Sequence, residues 1–95
     1  MTRFLYRITV KGAEFHRSAS RHHVDPADVE HCVDNALVVV DLDVDADPPK
    51  ILVIGPAFSG QLLEVIILSL PAERNLVIHA MDLRPTFYDL LPRRD

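Results

Sequence analysis

The feature that most constrains this chain is a series of four apolar runs between Leu37 and Met81, parted only by short turns. From Leu37 to Val44, the residues Val38, Val40, Leu42 and Val44 alternate with Val39, Asp41 and Asp43, the period of a strand with one face partly wet. A turn follows over Asp45 to Lys50, where Pro48 and Pro49 remove backbone donors and break the pairing. Ile51 to Ile54 read as a short buried strand and Gly55 to Gly60 as the next loop. Gln61 to Leu70 and Leu76 to Met81 complete an antiparallel meander, with Pro71 to Asn75 as their turn. Connections this short suit antiparallel neighbours, because parallel ones need a crossover of a dozen or more residues.

Upstream, Phe4, Tyr6, Ile8 and Val10 alternate with Leu5, Arg7, Thr9 and Lys11 before Gly12, so a strand is expected there too. Phe15 and Ala19, spaced i and i+4, predict a short amphipathic helix within Ala13 to His22. A stronger start signal lies at Asp25-Pro26: aspartate caps a helix, proline suits its first position, and Asp28 favours the positive end of its dipole. Val29, Cys32, Val33 and Ala36 form one stripe, while Glu30, His31 and Asp34 face water; Asn35 can take the left-handed turn that ends a helix. Arg84-Pro85 predicts a short terminal helix that packs Phe87, Leu90 and Leu91 back until Pro92 stops it. The expected fold is α+β, an antiparallel β-meander with two N-terminal helices and a short C-terminal helix on one face. With 95 residues there is room for one core, so residues 1–95 are read as a single domain.

Cys32 is the only cysteine, so no intramolecular disulfide forms and a reducing compartment, the cytoplasm, is expected. The run Leu62 to Leu70 is interrupted by Glu64 and falls well short of the ~20 residues that span a bilayer. The first residues lack a signal-peptide core. No membrane association is expected. The net charge of -4 argues against a phosphate-binding surface, yet Asp41, Asp43, Asp45 and Asp47 account for that whole excess. Arg17, Arg21, Arg84, Arg93 and Arg94 can form a local basic patch if the fold gathers them away from the aspartates.

His16, His22, His23, His31 and Cys32 crowd one span, but adjacent residues such as His22-His23 and His31-Cys32 diverge rather than converge on a tetrahedral ion, and Cys32 lies on the apolar stripe. No metal and no cofactor are expected. Ser18, Ser20, Ser59 and Ser69 lack a nucleophile elbow. The loop Gly55 to Gly60 lacks the Lys-Ser/Thr of a phosphate loop.

The run Arg21-His22-His23-Val24-Asp25-Pro26-Ala27-Asp28-Val29, then Ile54-Gly55-Pro56 through Gly60, Leu63-Glu64-Val65, and Ile78-His79-Ala80-Met81 with Arg84 and Phe87, resembles the BrnT-like toxins. It departs at His23, where that family usually carries glycine, and at Met81, where it tends to carry arginine. The resemblance covers most of the chain after Ser18. It implies a compact RelE-like fold, a bacterial type II toxin-antitoxin system, ribonuclease activity on RNA and neutralisation by a small DNA-binding antitoxin protein.

RNA cleavage by a ribose 2′-hydroxyl needs a base, an acid and a cation on the developing charge. On that implication His79, Glu64 and Arg84 are the candidate catalytic residues, and Arg21 and His22 the candidate RNA contacts. Strand alternation points His79 with Val77 and Met81, opposite Leu76, Ile78 and Ala80. Each candidate has a structural alternative: His79 as a strand histidine bonded to a neighbour or capping the terminal helix, Glu64 as the ion-pair partner of Arg84 or Arg21, and Arg84 paired with Asp82 or Glu64. A second function also stays open, a non-catalytic protein-binding domain whose apolar strands and Phe58 face an antitoxin or a second copy, as a homodimer.

Overall fold

The computed structural model describes residues 13–43 and 45–92. The expected strand over Phe4 to Val10, together with Val44, Arg93 and Arg94, lies outside the described residues. The elements are β1 (Glu14–Phe15), a 3-10 turn (Arg17–Ser20), α1 (Pro26–Asp34), β2 (Val38–Asp43), β3 (Lys50–Pro56), β4 (Leu62–Leu70), β5 (Arg74–Asp82) and a second 3-10 turn (Pro85–Leu90). Among the described residues they form a small α+β domain on a five-stranded sheet ordered β1-β5-β4-β3-β2.

From β2 to β5 the sheet is the antiparallel meander that the apolar runs predict. β1 makes it mixed, pairing parallel with β5 through Glu14 with Leu76 and Phe15 with Val77. An Arg74–Glu14 ion pair at 2.8 Å and a bond from the His16 N–H to the Val77 carbonyl at 2.8 Å hold this two-residue strand in place.

The helix expected within Ala13 to His22 is instead β1 followed by a 3-10 turn. Ala19 is the turn's one buried residue, too little apolar surface to hold a longer α-helix against the sheet. The terminal segment likewise forms a 3-10 turn. α1 begins as its cap predicts, with the Asp25 carboxylate accepting from the Ala27 N–H at 2.8 Å. It ends at Asn35 without a left-handed residue: Asn35 has φ -116°, and its side-chain amide donates to the His31 carbonyl. Among the described residues, the left-handed ones are His23 (φ 60°), Gly60 (φ 92°), and Ala72 and Glu73 (φ 62° and 57°) in the β4–β5 turn. That turn closes early, so Asn75 belongs to β5. The Asp47–Pro48 peptide is cis.

Both sheet faces are covered, which corrects the expectation that the helical segments share one side. On the first face Ala19, Val29, Cys32 and Val33 pack against Ile51, Val53, Val65, Ile67, Val77 and Ala80. α1 comes so close to β3 that a Cβ on Gly55 would press into the Cys32 carbonyl. On the second face Leu83, Phe87, Leu90 and Leu91, from the chain end, cover Val38, Val40, Leu52 and Ile54. Leu83, just before the turn, is buried, and burying an aliphatic side chain stabilises by about 1.5–3 kcal/mol, while Phe87, Leu90 and Leu91 are partly buried and add less each.

One irregularity positions the site. Along β4–β5, Ile66 stands opposite His79 but Ile67 stands opposite Val77, so Ile78 is an extra residue in a β-bulge. The bulge reverses strand parity. Val77 and Ala80 both enter the first core, while His79 and Met81 join the face of Ile66 and Glu64. The simple alternation that pointed His79 with Val77 fails at this residue.

Candidate functional site

Glu64 sits in the middle of β4, opposite Ile54 on one side and Met81 on the other, and has no exposed surface. An unpaired carboxylate at such a place costs several kcal/mol, on the order of the penalty for burying any lone ion. Among the described residues, the donors to Glu64 come from Arg84 and His79. Oε1 accepts the Arg84 backbone N–H at 2.8 Å and Arg84 Nε–H at 3.1 Å. Oε2 accepts Arg84 Nε–H at 3.0 Å and Nη2–H at 2.7 Å, and lies 2.9 Å from His79 Nε2. Burial pushes the Glu64 carboxyl up, but the hydrogen bonds and charge of Arg84, joined by His79, outweigh it and hold the group below the usual carboxylate range. The same bonds raise Arg84 further above its ordinary value.

Arg84 reaches this position because Leu83 is buried and its N–H bonds the Leu62 carbonyl at 2.9 Å, folding the chain back over β4. Its extended backbone (φ -92°, ψ 150°) then leads into Pro85. With Nε and Nη2 committed to Glu64, the guanidinium stands over the Phe87 ring at 5.7 Å, and its side chain remains 47% exposed. A cation braced on one edge and open to water on the other can receive an anion.

His79 is 21% exposed. Since Glu64 is ionised and accepts only, Nε2 carries the hydrogen of that bond, and Nδ1 is the nitrogen left to exchange a proton with a substrate. His22 stands beside it, the two rings 5.8 Å apart at 76°. The turn that presents His22 is fastened to the bulge: Ser18 Oγ–H donates to the Ile78 carbonyl at 2.7 Å, and His16 N–H to Val77. One backbone irregularity therefore aims His79 and anchors the segment bearing His22.

Of the residues expected from sequence, His79, Glu64, Arg84 and His22 come together. Arg21 is exposed at the end of the first 3-10 turn and is not a partner of Glu64. The aspartates of β2 and its turn lie three strand spacings from β5, about 14 Å, beyond a Debye length of about 8 Å at physiological salt. Sequence reasoning missed Ser18, whose role depends on the carbonyl of the bulged Ile78; nothing in its neighbourhood signals it. Among the described residues, no group of three or more His, Cys, Asp or Glu is placed to hold a metal ion. The buried Cys32 thiol is pushed up to about 12 by desolvation, against a smaller opposing effect of the Gly55 backbone, which leaves it inert. No helix among the described residues is long and apolar enough to cross a membrane. The chain matches no protein-family model, no curated protein and no solved structure.

Proposed function

We propose that this chain is a type II toxin of the BrnT-like kind, a cytoplasmic endoribonuclease that cleaves RNA with its own side chains and is silenced by a small antitoxin protein. One observation carries the reading: a partly exposed imidazole, His79, is held at 2.9 Å by a fully buried carboxylate, beside an arginine with one open edge. A buried carboxylate that fixes the tautomer and direction of a histidine is the arrangement by which imidazoles serve as general bases. Arg84 stabilises charge on the phosphate. Glu64 orients both and is not itself the base, since its oxygens are saturated and its carboxyl is depressed.

A second reading is a non-catalytic protein-binding domain, and one observation favours it. Phe58 is 70% exposed while its backbone N–H is held by Asp28 at 2.9 Å and its ring stacks on His31 at 4.2 Å. A rigid, exposed aromatic suits contact with an antitoxin or a second copy. Most of the strands' apolar side chains pack within the fold instead.

Expression of the intact chain and of His79→Ala, with growth and total RNA integrity as readouts, separates the readings. Growth arrest with fragmented RNA for the intact chain, absent in the variant, supports the nuclease. Intact RNA and normal growth with the unaltered chain, free of any antitoxin, sinks it.

A further inference from the structure

We infer that His22 is the second proton-transfer group of this site, the general acid that complements His79. The inference rests on the ribonuclease reading and adds the residue and the bond it acts on. Transesterification of RNA requires one group to accept the 2′-hydroxyl proton and another to protonate the departing 5′-oxygen. His79 is committed to the first task by Glu64, which holds Nε2 and leaves Nδ1 as the ring nitrogen not engaged by the carboxylate. Glu64 cannot supply the second, being fully buried and bonded through both oxygens. Arg84 does not release its proton at ordinary pH.

His22 fits the vacant role on three grounds. Its ring lies 5.8 Å from that of His79 and nearly perpendicular to it, edge to face, so the two imidazoles stand close enough to flank the same phosphate. It is exposed, and no hydrogen bond ties either of its ring nitrogens to another of the described residues. Its turn is secured to the bulge beside His79, which keeps the spacing constant. In the resulting step the 2′-oxygen loses its proton to His79 Nδ1 and bonds to phosphorus as the phosphorus–5′-oxygen bond breaks. The 5′-oxygen takes a proton from a His22 ring N–H, and Arg84 faces the phosphoryl charge. The products are a 2′,3′-cyclic phosphate and a 5′-hydroxyl, with atoms and protons balanced.

The test uses short RNAs that differ at one atom, with oxygen or sulfur at the bridging 5′ position of the scissile phosphate; a thiolate departs without a proton. The intact chain should cleave both. His22→Ala should lose about 10²-fold or more on the oxygen substrate yet stay within about 3-fold of the intact chain on the sulfur one, the range expected when an acid is removed. His79→Ala should fail on both. Full activity of His22→Ala on the oxygen substrate, or an equal loss on the two, overturns the assignment while the nuclease reading survives. If the intact chain cleaves neither RNA, the nuclease reading falls and takes this inference with it. Thermal melting of His22→Ala, an exposed substitution, verifies that it remains folded.

Discussion

Glu64→Gln tests the central claim that a saturated, buried carboxylate holds the second face together. Glutamine matches the shape but offers one acceptor oxygen where the carboxylate has two. If the amide nitrogen replaces Oε1, it meets the Arg84 backbone N–H and Nε–H; if it replaces Oε2, it meets Arg84 Nη2–H and His79 Nε2. Either way, donor faces donor. A hydrogen bond to a charged group contributes roughly 1.5–3 kcal/mol, and a buried donor without a partner costs about 1–3 kcal/mol. Because Arg84 is 47% exposed and can turn to water, the charge effect is discounted for screening, leaving about 2 kcal/mol. For a domain of this size that lowers the melting temperature by about 8–16 °C. The variant also changes the pH dependence. Folding depresses the Glu64 carboxyl below its ordinary value near 4.5, so as pH falls the unfolded chain binds this proton first. The stabilisation is full above the unfolded value and drains as pH drops through the lower folded one. Urea denaturation from pH 7 to pH 3 should show a weaker acid dependence in Glu64→Gln than in the parent. Stability within about 0.5 kcal/mol of the parent at pH 7, with an unchanged acid slope, refutes the reasoning.

Two further outcomes follow from backbone geometry. Ala72 and Glu73 hold consecutive left-handed conformations in the β4–β5 turn, so Ala72→Asn with Glu73→Gly, the pair such turns favour, should raise stability by about 1–2 kcal/mol, read as a higher urea midpoint at constant slope. Gly55→Ala should lower stability by about 1–3 kcal/mol, because the obstruction is the backbone carbonyl of Cys32 rather than a movable side chain; a melting temperature equal to the parent's contradicts the close approach of α1 to β3.

What the sequence disclosed followed from the range of the interactions involved. The start of α1 was legible because its signals, Asp25, Pro26 and Asp28, act on neighbouring amides. The meander was legible because alternation and short turns leave few other pairings. Parity across Val77 to His79 was not, because a bulge depends on the partner strand's register, and that shift is what puts His79 on the face of Glu64. The two-residue β1 carries too little pattern to be read, and its parallel pairing depends on contacts with distant Arg74 and Val77. The pairing of Glu64 with Arg84 was anticipated as one of two options, since a carboxylate in an apolar run needs a cation but does not say which. That Pro85–Leu90 covers the opposite face from α1 depends on Leu83 finding a pocket, which no local signal specifies.

The bond from Arg84's backbone N–H to Glu64 means that the chain's last turn and the site open together. Any fluctuation that lifts Pro85–Leu90 uncovers Leu52 and Ile54 and strips donors from the carboxylate in one event. Exchange of the Arg84 amide hydrogen with solvent thus measures how often the site is assembled, a clock readable on the resting protein with no substrate present.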